Sequence, residues 1–353
     1  ALPICPARRH TPGSSMPFHL VLPGLAWPNA GLTKPAADLP LPGLESLLGH
    51  ASVTWAQPIT TEAWLAGRFG LDSAALPYAR LRRLGEEAPA PSGGHWLCVD
   101  PVHLHFARDK LLLADASGLD ITRAEADTFM AGLNETFADI GRFEAPAPDR
   151  WYLHTHTAPK PFFYPIADVV GRPIQLFLPE GEDVAPWARL GNELQVWLYN
   201  HPLNAAREAA GLRTVNSAWL WGAEGAGGGT QPRSPAPRLL ADTPFARGLA
   251  REAGIDPATP DTCGTKPGDG LALISRLQRP VLHVDVESWR DALKQLDADW
   301  FAPLHAALKA RRIDCLRISA PGDKHCLELE IKAGSQWKFW RKPVTLEIGR
   351  AHV

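Results

Sequence analysis

The chain has 353 residues, of which 45% are hydrophobic and 21% are charged, and both fractions are typical of a soluble globular protein with a sizeable core. The formal net charge of −2 gives no general attraction to nucleic acid, and no apolar run approaches the roughly 18 residues that span a bilayer. We therefore expect neither nucleic acid nor a membrane among its partners. The five scattered cysteines include no C-x-x-C pair, which favours a reducing cytoplasm over a disulfide framework.

The first quarter of the chain predicts a strand, a loop and a helix. Residues 1–15 lack the apolar stretch of a secretory signal, so we expect a disordered extension before Met16. An apolar run over His19–Leu25 ends in Pro-Gly and predicts a buried strand, and Leu44–Leu48 begins a helix. Trp96–Val99 predicts a further strand after a Pro-Ser-Gly-Gly turn.

The segment from about residue 100 to residue 211 predicts a mixed α+β arrangement. Its most specific local signal is the pair Thr122 and Glu125, a capping box that opens a helix. The remaining predicted elements are a hairpin over His103–Asp115, strands over Trp151–Thr155 and Ile174–Leu178, and a helix over Trp187–Tyr199.

The last third predicts alternating strands and helices. A strand over Val215–Trp221 precedes a helix over Pro244–Ala253. Strand Val281–Val286, a long amphipathic helix over Glu287–Arg312 and strand Cys315–Ser319 would then form a parallel pair with a helical crossover. The predicted core stripe of that helix is Trp289, Leu293, Leu296, Trp300, Leu304 and Leu308. Cys326–Ile331 and Lys338–Ile348 predict edge strands.

Three motifs in fixed order carry a resemblance to a known family. They are N-S-A-W-L-W-G at 216–222, a segment that reaches Asp285 and Trp289, and G-D-K-H at 322–325. Together they resemble the C-terminal half of the archaeal-type cofactor-independent phosphoglycerate mutases of the alkaline phosphatase superfamily. The resemblance implies an α/β fold with an alkaline phosphatase-like core, in which helices flank a mostly parallel sheet. It also implies that residues 16–97 and 212–350 form this core and residues 98–211 an inserted, smaller α+β cap.

The family's residues for two metal ions are largely replaced in this chain. The family motif D-E-x-G-H keeps its aspartate as Asp285 but has Trp289 in the place of the histidine. The family's D-H-G becomes Asp323 and His325 with a lysine between them, and the D-G that ends the first family strand becomes Pro23-Gly24. The resemblance therefore implies that the mutase reaction is absent and that no cofactor is bound. Thr33 is a loose match to the family's nucleophile.

A bacterial offshoot of that family, the RpfE-type regulatory proteins, resembles the chain more closely. The shared features are D-P-V-H-L from Asp100, N-E-x-Q from Asn192, H-P-x-N-x-x-R-E from His201 and N-S-x-W-L-W-G from Asn216. This resemblance implies a catalytically degenerate regulatory protein that binds a small-molecule ligand or a protein partner.

Polar side chains cluster in one passage of the sequence and predict a ligand-binding cleft between core and cap. Arg207 would recognise an anion, because a guanidinium matches carboxylate and phosphate geometry. The alternative is that these groups cap helices and tie the cap to the core. The candidate ligand-binding residues are Asn192, Glu193, Gln195, His201, Asn204, Arg207, Asn216 and Trp219.

A second hypothesis keeps the protein an enzyme. A rearranged centre of Asp285, Asp291, Asp323 and His325 would bind a divalent metal (Mn²⁺, Mg²⁺ or Zn²⁺), with Thr33 as nucleophile, in a phosphoesterase or phosphomutase. Two histidine pairs, His103 with His105 and His154 with His156, would each point to one face of a strand. They predict either a transition-metal site or half-exposed polar positions of a sheet.

Overall fold

The computed structural model describes residues 17–28, 35–36, 38–91, 93–224, 231–263, 268–337 and 342–346. The chain divides into two compact units: residues 1–61, 235–242 and 257–353 form the first, and residues 62–234 and 243–256 the second. The predicted cap, 98–211, lies wholly within the second unit, and its boundaries stay a prediction. Each helix of the described residues is too short or too polar to cross a membrane.

The strands, in chain order, are β1 (Phe18–Val21), β2 (Ser52–Ala56), β3 (His95–Ala107), β4 (Lys110–Ala114), β5 (Gly141–Ala147), β6 (Arg150–Thr155), β7 (Ser217–Trp221), β8 (Leu239–Ala241), β9 (Leu271–Leu273), β10 (Cys315–Ala320) and β11 (Cys326–Lys332). The helices are α1 (Pro42–His50), α2 (Thr61–Arg68), α3 (Tyr78–Leu84), α4 (Arg123–Thr136), α5 (Ile166–Val169), α6 (Val184–Tyr199), α7 (Pro202–Ala209), α8 (Pro244–Glu252), α9 (Gln278–Leu282), α10 (Val286–Leu296) and α11 (Ala302–Lys309).

The first unit is built on a six-stranded sheet in the order β2-β11-β10-β1-β9-β8. The strands β10, β1, β9 and β8 are parallel to one another, whereas β11 is antiparallel to both of its neighbours, β10 and β2. One face carries Leu20, Ile318 and Leu329 into a core shared with the stripe of α10 and α11. The predicted α/β core with a mostly parallel sheet flanked by helices is confirmed.

A π-helical turn, Asp297–Phe301, joins α10 to α11 and lies beside the start of α1. Asp297 is buried and accepts the N–H groups of Gly43 at 3.1 Å and Leu44 at 2.7 Å. The residue that precedes α1 makes no side-chain cap, so Asp297 satisfies two N–H groups that a helix start leaves without partners. The whole predicted stripe from Trp289 to Leu308 is buried, which confirms the long amphipathic helix.

The second unit is built on an antiparallel sheet in the order β4-β3-β6-β5, with β7 also paired to β3. The helices α4 and α6 contribute Phe129, Leu133, Leu190 and Leu194 to its core. The predicted capping box is confirmed, because the Thr122 side chain accepts from the Glu125 N–H and the Glu125 carboxylate accepts from the Thr122 N–H.

Three sequence predictions were wrong, and a fourth was wrong over the residues that the structure describes. Val281–Val286 is not a strand, because α9 ends at Leu282 within this range. The strand that pairs with β1 is β9. An inner strand of a parallel sheet is buried on both faces, and the apolar residues 271–274 are all buried. Residues 174–176 form a 3₁₀ turn that leaves Leu176 and Leu178 exposed. β11 is interior, since β2 lies outside it. Of the predicted strand Lys338–Ile348, residues 338–341 and 347–348 lie outside the described residues, and residues 342–346 are not strand.

Within the second unit, α3 and α8 cross with almost no space between their backbones. A Cβ at Gly248 would lie 1.7 Å from the Leu81 carbonyl oxygen, so glycine is needed there. We expect Gly248→Ala to push the helices apart and to lower the free energy of unfolding by about 1–3 kcal/mol, measured by urea unfolding. Gly67→Ala in α2 is the control, because a Cβ there would meet no atom within 4 Å. We expect this control to stabilise by about 0.5–1 kcal/mol, and equal signs for the two variants would contradict the prediction.

Candidate functional site

The residues of the hypothetical rearranged metal centre lie at exposed positions of the first unit. Asp285 caps α10 by accepting the Ser288 N–H at 3.0 Å, and Asp291 pairs with Lys294 at 3.0 Å. Asp323 is exposed, and the His325 ring lies edge-on to Trp55 at a centroid distance of 5.7 Å. No group of three or more histidine, cysteine or acidic residues in the described part of the chain could hold a metal ion. Thr33 lies outside the described residues, so this hypothesis stays a prediction.

Trp289, in the place of the family's histidine, packs against the turn that replaces the family's first aspartate. Its indole N–H donates to the Gly24 carbonyl at 2.8 Å, and its ring lies 5.3 Å from the Trp27 ring. Trp289 is 1% exposed. Gly24 has φ +83°, and a Cβ there would lie 2.7 Å from the Leu277 carbonyl oxygen. Indole and proline are not metal ligands, so these residues do not fit a two-metal centre at this place.

The structure places Arg207, the predicted anion-binding residue, inside the second unit. It is 1% exposed, and its Nη1 donates to the Glu125 carboxylate at 2.7 Å. Its Nε donates to the Arg213 carbonyl at 2.8 Å, and its Nη2 to the Leu119 carbonyl. Each guanidinium nitrogen therefore has a protein partner. The same Glu125 closes the capping box of α4, so Arg207 ties α7 to the start of α4.

Further candidate side chains also bond to nearby backbone. Asn204 accepts the Val215 N–H at 2.9 Å and donates to the carbonyls of Leu198 and Val215. Asn216 exchanges two hydrogen bonds with Leu104, at 2.7 and 2.8 Å. The Trp219 indole donates to the Tyr164 carbonyl at 2.9 Å. His201 caps α7 by accepting the Leu203 N–H at 3.2 Å. These contacts favour the structural alternative for this part of the cluster.

Asn192 and Glu193 differ, because they lie on α6 at an open groove of about 830 Å³. We call it the α4–α6 groove. Glu193 pairs with Arg189 at 2.8 Å, and Gln195 lies on the same helix. The groove combines apolar and polar groups. Besides Asn192 and Glu193, its lining residues are Thr136, Phe137, Asp139, Ile140, Ala185, Ala188, Arg189, Val196 and Trp197. A partly apolar cleft with a few polar groups is the usual form of a ligand site.

A buried charge network in the second unit was not predicted from the sequence. Arg82 forms a two-bond ion pair with Asp100, at 2.8 and 3.0 Å. The Asp100 carboxylate also accepts the indole N–H of Trp221 at 2.9 Å and the backbone N–H of Trp151 at 3.2 Å. The adjacent Cys98 thiol has a pKa raised to about 12 by burial, so it is not a nucleophile at neutral pH. The available signal was the pair of adjacent arginines, Arg82 and Arg83, between Leu81 and Leu84 of α3.

The histidine pairs take separate positions in the second unit. The His103 and His105 rings stack at 5.8 Å, which confirms that they share one face of β3. The His103 Nδ1 lies 2.9 Å from the Thr214 carbonyl oxygen, and burial lowers the pKa of His103. His154 hydrogen-bonds to the Gly93 carbonyl at 2.9 Å. Neither pair belongs to a metal-binding group of the described residues.

Asp242 is a second feature that the sequence analysis missed. It follows β8 at the carboxyl end of the parallel strands, where α/β folds bind ligands. Its Oδ2 accepts the Ser275 N–H at 2.8 Å, whereas its buried Oδ1 has no hydrogen-bond partner among the described residues. Burial raises the pKa of Asp242 above its ordinary value, although the Ser275 hydrogen bonds oppose the shift.

The Asp242 carboxyl should make stability depend on pH. Its folded pKa lies above the unfolded value of 3.8, so the stability it contributes is present below that value and is lost as pH rises through the folded pKa. Asp242→Asn keeps an acceptor for Ser275 without the buried charge. We expect it to raise the free energy of unfolding at neutral pH by about 1 kcal/mol, measured by urea unfolding against the exposed control Asp269→Asn. A gain of the same size at acidic pH would contradict this explanation.

The architecture defines an α/β protein with a mostly parallel core sheet. No family model matches the chain. It is 36% identical over 58 residues to the 2,3-bisphosphoglycerate-independent phosphoglycerate mutase of Methanothrix thermoacetophila, a match that covers 16% of this chain and 15% of that relative's length.

Solved structures resemble the chain over nearly its whole length. The PH0037 protein from Pyrococcus horikoshii superposes with a TM-score of 0.55 at 14% identity, over 95% of this chain and 92% of that chain. The cofactor-independent phosphoglycerate mutase from Thermoplasma acidophilum has a TM-score of 0.49 at 14% identity, over 96% of each chain. The architecture shared with the Pyrococcus protein and the local match to a mutase sequence together identify the fold as phosphoglycerate mutase-like.

Proposed function

We propose that this protein is a catalytically degenerate, phosphoglycerate mutase-like regulatory protein of the RpfE type, which binds a small-molecule ligand or a protein partner in the bacterial cytoplasm. The observation that carries the proposal is the contact between Trp289 and Gly24. The resemblance would put a metal-binding histidine and a metal-binding aspartate at two positions of this chain. One position holds Trp289 and the other the Pro23-Gly24 turn, and the buried indole packs on that turn.

Electrostatics supports the loss of catalysis. Two divalent ions in one site need several carboxylates and imidazoles, both to neutralise their charge and to complete their coordination. Asp285 and Asp291 are instead engaged with the α10 N-terminus and with Lys294. The insertion of Lys324 between Asp323 and His325 adds a positive charge next to the family's second ligand pair.

The α4–α6 groove is the place that we propose for ligand binding. It carries the amide of Asn192 and the carboxylate of Glu193 beside the aromatic rings of Phe137 and Trp197. An aromatic wall supplies contact area, and a few polar groups fix the orientation of a ligand. Of the predicted ligand-binding residues, Asn192 and Glu193 line this open surface.

The decisive experiment measures bound metal by elemental analysis in protein purified without chelator, together with hydrolysis of p-nitrophenyl phosphate in added Mn²⁺. We expect neither stoichiometric metal nor turnover. Two equivalents of metal, with turnover that Asp285→Ala or His325→Ala abolishes, would overturn the proposal in favour of the rearranged metal centre. The surface variant Asp127→Ala is the matched control, since it removes a carboxylate outside every candidate site.

A further inference from the structure

The edge strand β2 is unlike the other sheet edges of the described residues. Its sequence, Ser52-Val53-Thr54-Trp55-Ala56, contains neither a charged residue nor a proline, and four of its five residues are exposed. β11 pairs with one side of it, and the strand order of the sheet ends at β2. An open edge of this kind presents N–H and C=O groups that another strand can pair with.

The remaining edges are protected in ways that natural sheets commonly use. At the opposite end of the same sheet, β8 has three buried residues and forms a bridge with Ala258. In the second unit, β4 is bridged by Val170 and Pro173, and β5 carries charged residues and a proline. The strand β7, which among the described strands pairs only with β3, has four of its five residues buried. The absence of such protection at β2 among the described edges therefore indicates a strand that has a partner.

We infer that β2 pairs with β2 of a second copy of this chain, which would join two six-stranded sheets into one continuous sheet across a two-fold axis. The axis would pass between the two Thr54 residues. Antiparallel pairing of identical strands obeys two-fold symmetry, and the register centred on Thr54 is the one that pairs all five residues.

The side chains of β2 are self-complementary in that register. Val53 and Trp55 lie opposite Leu329 and Leu327, so they share the face that carries the hydrophobic core. Val53 is nevertheless 52% exposed, whereas Trp55 packs partly against that core. The two-fold places Val53 opposite Trp55 of the other copy, an aromatic and β-branched pair, and Thr54 opposite Thr54; both pairings stabilise sheets.

Charge-swap variants test the inference in solution. The parent chain is expected to sediment as a dimer, and Thr54→Lys as a monomer, because the substitution places like charges directly opposite each other. Thr54→Glu is expected to be monomeric alone and to restore the dimer when mixed with Thr54→Lys. Thr128→Lys, at an exposed position of α4, is the matched control and should leave the dimer intact.

Thr54→Cys gives a second measurement, which detects the dimer by cross-linking and does not require a variant that disrupts it. Directly opposed residues of antiparallel strands have Cα atoms about 4.5–5.5 Å apart, within disulfide reach. Mild oxidation should therefore cross-link the variant, but not the parent, into a covalent dimer. The inference would be overturned by a parent chain that is monomeric at every concentration. It would also be overturned by a dimer that Thr54→Lys leaves intact and that Thr54→Cys does not cross-link. The first result would leave β2 as a site for a different strand, such as an extended peptide.

Discussion

Asp100→Ala is expected to lower the free energy of unfolding of the protein by about 3–5 kcal/mol, as measured by guanidinium unfolding. The substitution leaves the Arg82 guanidinium buried without its ion-pair partner, since both side chains are less than one-tenth exposed. It also removes the acceptor of the Trp221 indole N–H and the Trp151 backbone N–H. Buried donors without acceptors cost the full desolvation free energy of each group.

The control for this prediction is a carboxylate of the same unit in an exposed ion pair. Asp127 pairs with Arg123 at 3.1 Å across one turn of α4, and its side chain is 62% exposed. We expect Asp127→Ala to change stability by less than about 0.5 kcal/mol. The double variant Arg82→Met with Asp100→Ala should cost less than the sum of its single substitutions, because no unpaired charge then remains buried. Additive losses would contradict an ion pair as the source of the effect.

Local sequence signals predicted those parts of the fold whose determinants lie within one or two turns of helix. The Thr122 and Glu125 capping box and the stripe from Trp289 to Leu308 depend on spacing within a single element. The strand prediction at Val281–Val286 failed because alternation alone does not specify which apolar run enters a parallel sheet. The buried run at 271–274 fills the inner position, and the alternating run forms α9 and an exposed loop.

Contacts between distant segments explain what the sequence could not predict about the candidate site. Arg207 has the chemistry of an anion-binding residue, but its guanidinium contacts Glu125 and Leu119, more than eighty residues earlier in the chain. Gly248 lies in a helical pattern, and its close approach to Leu81 could not be seen without the fold. In both cases the residue type indicated that the side chain or backbone makes a specific contact. The residue on the other side of that contact is set by the tertiary structure.

Replacement of Trp289 is the second substitution with a large expected effect. Trp289→Ala removes a fully buried indole from the core of the first unit, together with its hydrogen bond to the Gly24 carbonyl. We expect the free energy of unfolding to fall by about 3–5 kcal/mol, because the cavity collapses only in part. Glu287→Ala, at an exposed position of the same helix, should change it by less than about 0.5 kcal/mol in the same guanidinium titration.

Trp289→His separates a structural role for this position from a suppressed metal site. The substitution restores the residue type that the mutase resemblance places there, yet Pro23 and Gly24 still supply no carboxylate opposite it. We expect the variant to be destabilised and to bind Mn²⁺ no more tightly than the parent, as measured by calorimetric titration. Stoichiometric Mn²⁺ binding by Trp289→His would show that the remaining ligands are still arranged around the ion. It would contradict the proposal that packing of the indole on the Gly24 turn has replaced a metal centre.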